Sequence, residues 1–237
     1  MTDHLKQIVS QNLQHIRDAT NTACQRAGRA PEDVRLVAVT KYAPWDAVVE
    51  LAELHSVFGE SRPQQLAERQ PQLPDVEWHL IGQLQRNKVP LALKHASLIH
   101  SVDSLRLLER IETVAGDRGF APHLLLQVNL TGEESKTGFE RQELIDGWPE
   151  FLQSISHVHI DGLMTMAAAS DDPEDARPVF QELRQLRESL AAHPESRSRG
   201  MALPELSMGM SGDFVQAIEE GATLIRIGSR LFEGIAA

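Results

Sequence analysis

Residues 34–39 read Val-Arg-Leu-Val-Ala-Val, a mostly apolar run of the length that a buried strand has. Seven further runs follow, and after each run comes a helical pattern or the end of the chain. They are residues 57–59, 78–82, 98–102, 123–128, 158–164, 205–208 and 223–227. Such alternation predicts parallel strands joined by crossover helices, in an open doubly wound sheet or a closed barrel. Eight repeats within 237 residues favour a single (β/α)8 TIM barrel of the α/β class.

The segments between the runs carry apolar residues at helical spacing. The clearest predicted helices are an opening helix that ends near Gly28 and residues 45–54, 104–115, 143–155, 176–190 and 214–220. No linker rich in Pro, Gly or Ser divides the chain. Residues 130–138 and 193–204 are therefore interpreted as loops within one domain that spans residues 1–237.

The formal net charge of −11 argues against a broad nucleic-acid or anionic-membrane surface, because both require an excess of Lys and Arg. A local basic pocket for a small anion is still compatible with this charge. No apolar run approaches the roughly 20 residues that span a bilayer, and the first residues lack the apolar stretch of a signal peptide. We therefore expect a cytoplasmic protein without a membrane or nucleic-acid partner.

Cys24 is the only cysteine in the chain. A single cysteine excludes an intramolecular disulfide and a zinc site built from several cysteines. Its position on the inner face of the opening helix predicts a small buried side chain rather than a reactive thiol.

The active site of such a barrel lies at the carboxyl ends of its strands. Residues 209–213, after the seventh strand, read Gly-Met-Ser-Gly-Asp and lead into a helix, so backbone N–H groups beside Ser211 and Gly212 point to the mouth. Gly228 and Ser229 open the neighbouring loop after the eighth strand. Barrels frequently hold a phosphate between these two loops. The alternative is ordinary helix capping by Ser211 or Asp213 and a simple glycine turn at Gly228.

Lys41 follows the first strand and can reach a ligand in the mouth, where partial burial would make its amine nucleophilic. On position alone, a solvated loop lysine is the simpler interpretation. In a closed barrel, however, the first strand neighbours the eighth. A phosphorylated aldehyde could then be held by its phosphate at one end and by a Schiff base to Lys41 at the other.

Arg226 is the one charge in the strand Thr-Leu-Ile-Arg-Ile at residues 223–227. A lone arginine in a strand is costly to bury unless a partner compensates it. It either faces outward beneath a helix or faces inward as a donor to an anionic or heteroaromatic ligand.

These segments resemble those of the pyridoxal 5'-phosphate (PLP) homeostasis proteins, also called proline synthetase co-transcribed homologues. The segment Leu-Val-Ala-Val-Thr-Lys that ends at Lys41 is similar to the PLP-lysine segment of that family. The other similar segments are residues 78–88, 101–104, 127–129, 132–133, 135–138, 162–164, 206–211, 225–228 and 231–232. They run in order from the first strand to the last, which makes the set far more specific than any one segment.

The resemblance implies a barrel like the N-terminal domain of bacterial alanine racemase, with PLP bound as a Schiff base on Lys41. It also implies that the phosphate is held by Ser211, Gly212, Gly228 and Ser229. Arg226 would face the pyridine nitrogen. Because an arginine stays protonated, that nitrogen would remain unprotonated and the ring would be a poorer electron sink.

The chain departs from the family pattern after the second strand, where Gly-Glu-Ser stands at residues 59–61 and the family commonly has Gly-Glu-Asn. Ser61, which is shorter, is predicted as a cofactor contact in place of that asparagine. A second departure is Glu233, where a glycine is usual. For four further residues of family segments, core or loop hydrogen bonding is at least as good an interpretation as ligand binding: His79, Asn87, Lys88 and Lys136.

Three classes of function fit these residues. The first is a PLP carrier or homeostasis protein, which would serve PLP-dependent apo-enzymes as partners without turnover of its own. The second is a PLP-dependent amino-acid racemase, and the third is a Schiff-base lyase that uses Lys41 on a sugar phosphate without PLP.

The racemase class requires an acid/base pair on both sides of the substrate α-carbon. In alanine racemases the base opposite the lysine is a tyrosine of a separate β-domain, which also makes the dimer. Here the only tyrosine is Tyr42, beside Lys41 and poorly placed for the opposite face. The sequence therefore favours a carrier over an enzyme, and a monomer over a dimer.

Overall fold

Eight parallel strands close into a barrel in the computed structural model of this chain, which describes residues 2–133 and 137–235. The barrel strands are β1 (Arg35–Val39), β2 (Val57–Glu60), β3 (Glu77–Leu80), β4 (Leu98–Val102), β5 (His123–Asn129), β7 (His159–Met164), β8 (Glu205–Ser207) and β9 (Leu224–Ile227). Each strand pairs in parallel with the next, and β9 pairs with β1 to complete the ring. The predicted (β/α)8 barrel is confirmed, and each strand begins and ends within two residues of its predicted bounds.

Helices surround the barrel. They are α1 (Thr2–Ala27), α2 (Trp45–Ala52), α3 (Pro63–Arg69), α4 (Val89–His95), α5 (Leu105–Arg118), α6 (Arg141–Gln153), α7 (Arg177–Ala192), α8 (Pro194–Ser198) and α9 (Phe214–Glu219). Short 3-10 helices occupy Pro31–Asp33, Gln70–Gln72, Arg86–Lys88 and Pro173–Ala176. None of these helices within the described residues is both long and apolar enough to cross a bilayer.

Two short elements lie where the sequence predicts loops. The strand β6 (Phe139–Glu140) pairs with the end of β5, outside the ring. In the segment 193–204, α8 forms because Pro194 takes a first-turn position and the His193 ring accepts a hydrogen bond from the Glu195 N–H at 3.2 Å. Neither element has enough apolar residues to give a periodic signal.

The core has two layers, as strand alternation requires. Apolar side chains pointing outward from the strands pack against the helices, and Cys24 of α1 is fully buried in this layer, as predicted. Burial raises the pKa of its thiol. A smaller cluster fills the barrel interior: Val37, Val57, Leu98, Leu125, Met164 and Leu224.

One glycine allows two strands to approach closely. A Cβ atom added to Gly162 of β7 would lie 1.9 Å from the backbone oxygen of Glu205 in β8. These two residues are also register partners in the ladder. Any side chain at residue 162 would therefore push β7 and β8 apart.

The first and last parts of the chain meet where the barrel closes. Arg35 of β1 pairs with Leu224 of β9, and Ala38 pairs with Ile227. The Asn12 amide of α1 donates to the backbone oxygens of Leu231 at 3.1 Å and of Glu233 at 3.0 Å. The loop after β9 is thereby fastened to the first helix.

Candidate functional site

A cavity of about 730 Å3 opens at the carboxyl ends of the barrel strands. All seven residues that the sequence predicts for the site line it: Lys41, Ser61, Ser211, Gly212, Arg226, Gly228 and Ser229. They come from four separate segments that follow or end β1, β2, β8 and β9. The closed ring brings these segments together because β9 lies between β8 and β1, and β2 lies on the far side of β1.

The two loops after β8 and β9 form one wall of the cavity. Ser211 lies in the first loop, and its hydroxyl oxygen accepts a hydrogen bond from the Gly228 N–H of the second at 3.4 Å. The backbone N–H groups of Ser211, Gly212 and Ser229 make no hydrogen bond with other described residues. They are donors that a bound anion can satisfy.

The first of these loops has a fixed shape. Gly209 adopts φ +90°, and a Cβ there would lie 2.5 Å from the Cβ of Ala217. The Asp213 carboxylate accepts a hydrogen bond from the Met210 N–H at 2.6 Å. Neither Ser211 nor Asp213 caps α9 with its side chain, so helix capping does not explain these residues.

Lys41 stands at the rim of the cavity, and its side chain is exposed rather than partly buried as expected. Its Nζ atom lies 5.0 Å from the ring centre of Tyr42, which is itself 79% exposed. The difference arises because β1 ends at Val39, so that Lys41 lies in a turn beyond the strand. The amine is accessible to a ligand that enters the mouth.

Arg69 hydrogen-bonds to the turn that carries Lys41, and these contacts are called the Arg69 clamp below. This guanidinium donates to the backbone oxygen of Thr40 at 2.8 Å and to that of Ala43 at 3.4 Å, on either side of the lysine. It also pairs with the fully buried carboxylate of Glu60, to which the Thr40 hydroxyl donates. This cluster was not predicted from the sequence, because Arg69 belongs to α3, whereas Thr40 follows β1 and Glu60 ends β2.

Arg226 faces the barrel interior, with 4% of its surface exposed, so the outward-facing alternative is wrong. Its NH1 group donates to the Ser207 hydroxyl at 2.5 Å and its NH2 group to the Thr165 backbone oxygen at 2.9 Å. No carboxylate of the described chain forms an ion pair with it. Burial lowers the pKa of Arg226 to about 10, with Asp213 acting in the opposite direction, so the group stays cationic near neutral pH.

Ser61 follows β2, is half-buried and lines the cavity. Its backbone is packed against Gly82, where an added Cβ would lie 2.2 Å from the Ser61 oxygen. The Ser61 hydroxyl donates to no other described residue, so it is available to a ligand.

Several cavity residues were not predicted as site residues from the sequence. Gln127 on β5 donates through its side-chain amide to the Thr137 backbone oxygen at 2.8 Å, and both residues line the cavity. Exposed Met166 and Met210 form part of the rim with Tyr42. Gln127 was detectable as a polar residue in an apolar strand, whereas the rim methionines gave no periodic signal.

Three residues of family segments that were interpreted as core or loop residues, His79, Asn87 and Lys88, do not line the cavity. His79 is fully buried and hydrogen-bonded on both ring nitrogens, to Glu77 and His100. Asn87 and Lys88 lie in the 3-10 helix Arg86–Lys88. Lys136 and Ser135 lie outside the described residues.

Comparisons of the sequence identify similar proteins along almost the whole chain. The profile of the family described as alanine racemase, N-terminal domain, matches residues 11–235. The chain is 39% identical to the pyridoxal phosphate homeostasis protein of Aquifex aeolicus (strain VF5), across 94% of this chain and 96% of that one. It is 34% identical to the protein of the same name from Vibrio alginolyticus, with the same coverage.

Solved structures give a consistent result. PipY of Synechococcus elongatus PCC7942, solved with PLP bound, is 36% identical and superposes with a TM-score of 0.80 over 94% of this chain and 99% of that one. A structure described as that of an unknown protein from Bifidobacterium adolescentis is 32% identical, with a TM-score of 0.88 over 97% of this chain and 96% of that one. Alanine racemase of Clostridium difficile 630 is 13% identical, with a TM-score of 0.71 over 97% of this chain and 57% of that one, which shows a shared fold alone.

Proposed function

This chain belongs to the family of pyridoxal phosphate homeostasis proteins, within the alanine racemase N-terminal-domain fold, and we propose that it binds PLP as a Schiff base on Lys41. The observation that carries the proposal is the convergence of all seven predicted residues on one cavity of about 730 Å3. A cavity of this size suits a small aromatic cofactor.

The donors around the cavity match the phosphate of PLP. Ser211 and Ser229 offer hydroxyl groups, and the loops after β8 and β9 offer backbone N–H groups that have no partner among the described residues. Hydrogen bonds from such donors to a phosphate oxygen are charge-assisted and therefore strong. We infer that Ser211, Gly212, Gly228 and Ser229 hold the phosphate.

The position of Lys41 fits the aldehyde end of PLP. Its amine lies at the rim of the same cavity, and the Arg69 clamp fixes the turn on which it stands. Condensation of the amine with the aldehyde releases water and gives the Schiff base. Ser61, on the neighbouring segment, is proposed as a weaker contact in place of the family's asparagine.

Arg226 is proposed to face the pyridine nitrogen from inside the barrel. Two hydrogen bonds to Ser207 and Thr165 leave further guanidinium N–H groups for the cavity. When bound, PLP supplies an electron sink, and a cationic Arg226 keeps that sink weak because the ring nitrogen stays unprotonated. The site suits retention of the cofactor better than turnover of amino acids.

We therefore propose a role in intracellular PLP homeostasis or carriage, with PLP-dependent apo-enzymes as recipients and residues 1–237 acting as one binding domain. Racemisation is the alternative. Against it stands Tyr42, whose ring lies on the same side as Lys41 and is 79% exposed. The cytoplasmic location and the monomeric state stay predictions from the sequence.

The test is the absorption spectrum of the purified protein before and after borohydride reduction, with the labelled peptide mapped by mass spectrometry. We expect a yellow protein and a pyridoxyl group on Lys41. Lys41→Ala should remain folded and lose the visible band, whereas the matched variant Lys88→Ala should keep it. A label on Lys88 or Lys136 would refute the assignment, and a colourless protein that PLP does not load would favour a lyase without PLP.

A single activity assay separates the carrier from the racemase. The protein should racemise alanine no faster than the same concentration of free PLP. Turnover above that control, lost in Lys41→Ala, would establish the racemase alternative instead.

A further inference from the structure

A continuous line of hydrogen-bonded side chains crosses the barrel interior from the cavity to the opposite end. The Arg226 NH1 group lies 2.5 Å from the Ser207 hydroxyl, which lies 2.8 Å from Nδ1 of His100. Nε2 of His100 lies 3.0 Å from Nδ1 of His79, and Nε2 of His79 lies 2.7 Å from the Glu77 carboxylate. Arg226, Ser207, His100, His79 and Glu77 are called the barrel relay below.

The two ends of the barrel relay have different surroundings. His79, His100 and Ser207 are fully buried, and Arg226 lines the cavity. Glu77 begins β3 at the amino-terminal end of the barrel, and 39% of its side chain is exposed there. The relay therefore connects solvent at one end of the barrel with the ligand cavity at the other.

When each ring carries a single proton, the chemistry of the end groups fixes the direction of every hydrogen bond. The Glu77 carboxylate is an acceptor, so Nε2 of His79 donates and its Nδ1 accepts. His100 must then donate through Nε2 and accept through Nδ1 from the Ser207 hydroxyl. The Ser207 oxygen, in turn, accepts from Arg226. All donors point from the guanidinium towards the carboxylate.

Burial lowers the pKa of His100 well below its usual range, with the nearby His79, Arg226 and Arg35 acting in the same direction. A neutral ring is what the directed chain requires. The hydrogen bond from His79 lowers the pKa of Glu77, which keeps the carboxylate charged. Arg35 also contacts Glu77 at 3.3 Å and Glu205 at 3.0 Å, so the far end holds one cation between two anions.

We propose that Glu77, His79, His100 and Ser207 are positioning residues that orient Arg226 towards the ring nitrogen of PLP and compensate its charge from the far end of the barrel. This inference rests on the proposed function, because it assigns Arg226 to the bound cofactor. A buried arginine without an ion pair among the described residues needs such compensation. The relay supplies it through polarised hydrogen bonds rather than through a direct carboxylate contact.

The first test needs no cofactor. Long-range 15N NMR of the apo-protein reports the protonation and tautomer of each histidine ring, with signals assigned from His79→Gln and His100→Gln. At pH 7 both rings should be neutral with the proton on Nε2. A proton on Nδ1 of either ring, or a cationic His100, would overturn the relay whether or not PLP binds.

The second test uses the PLP-loaded protein. Glu77→Gln keeps the shape of the side chain, removes the terminal charge and allows His79 to reverse its tautomer. Glu205→Gln is the matched control, because it removes an equal charge from the same Arg35 cluster but lies outside the relay. Both variants are titrated from pH 5 to 10 while the absorption of the Schiff base is recorded.

Removal of a negative charge disfavours the cationic form of groups at the cavity. The pH at the midpoint of the absorption change should therefore fall. We expect a fall of at least about 0.3 pH unit in Glu77→Gln, and a clearly smaller one in Glu205→Gln. Equal shifts in the two variants would mean that only long-range charge acts, and the positioning role would be rejected.

The outcomes distinguish this inference from the proposed function. If borohydride labels no lysine but the NMR tautomers are as expected, the relay stands and the PLP assignment fails. If Lys41 is labelled but the tautomers differ, PLP binding stands and the relay fails. Should Glu77→Gln not fold, Ser207→Ala provides the titration, because it removes the direct acceptor of Arg226, and an unchanged midpoint would then reject the proposal.

Discussion

Ser211→Ala removes one hydroxyl group from the proposed phosphate site and leaves the backbone unchanged. In the structure this hydroxyl accepts the Gly228 N–H at 3.4 Å, a long hydrogen bond that costs little to lose. The main loss would be one charge-assisted hydrogen bond to the phosphate, worth about 1–3 kcal/mol. That free energy corresponds to a roughly 5- to 140-fold increase in the dissociation constant of PLP.

Comparison of PLP with pyridoxal isolates the phosphate in this experiment. Both aldehydes can react with a lysine amine, but only PLP carries the phosphate that the loops after β8 and β9 are proposed to bind. Absorbance titrations of wild type and Ser211→Ala with each aldehyde therefore give a double-mutant cycle. Ser211→Ala should lower the affinity for PLP and leave the affinity for pyridoxal unchanged. Wild type should bind pyridoxal far more weakly than PLP.

The matched control is Ser10→Ala, which removes an exposed hydroxyl from α1, remote from the cavity. It should change neither affinity. If Ser211→Ala weakened PLP and pyridoxal by the same factor, the hydroxyl would support the fold of the loop rather than the phosphate. Equal affinity of wild type for the two aldehydes would refute the phosphate site altogether.

Three further predictions follow from Arg226, Gly162 and His100. Arg226→Glu should retain some PLP, because the phosphate contacts and the Schiff base remain. Its absorption spectrum should change across a pH series and slow transamination should appear, because an acid at this position favours a protonated pyridine. A spectrum identical to wild type at every pH would show that residue 226 does not touch the ring. Gly162→Ala should lower the free energy of unfolding in urea by about 1–3 kcal/mol or more, because its Cβ would lie 1.9 Å from the Glu205 backbone oxygen. Gly147→Ala is the control: it lies in open space within α6 and should raise the free energy of unfolding by about 0.5–1 kcal/mol. Because burial depresses the pKa of His100, its ring is protonated near pH 6 only in the unfolded chain. Its contribution to the free energy of unfolding is therefore complete above pH 6.5 and declines below it by up to about 1.4 kcal/mol per pH unit. In His100→Asn the free energy of unfolding should fall less steeply between pH 7 and 5.

Elements with a periodic or apolar signal could be predicted from the sequence. The eight strands are short apolar runs, and their alternation with helices implies the barrel, which in turn brings Ser211 and Gly228 together. The inward orientation of Arg226 could be determined only from the structure, because sequence periodicity does not tell which face of a strand points into the barrel. The pairing of Arg226 with Val37, a residue of the inner cluster, decides it.

Contacts across the barrel could not be predicted. His100 and Ser207 are distant in the sequence and meet only because β4 and β8 face each other inside a closed ring of fixed diameter. The Arg69 clamp likewise depends on where α3 returns to the mouth. The exposure of Lys41 depends on the residue at which β1 ends, and strand ends are the least certain part of a sequence-based assignment.

The pairing of β1 with β9 also sets the order of events during synthesis. Lys41 leaves the ribosome well before Gly228 and Ser229, which lie far downstream of it in the sequence. Until β9 docks on β1, the growing chain carries the Lys41 amine without the cavity wall that is proposed to hold the phosphate. Pairing between such distant segments is slow and comes late in folding. We therefore expect tight binding of PLP only after β9 has docked, and only a weak, exchangeable Schiff base in a chain that lacks β9.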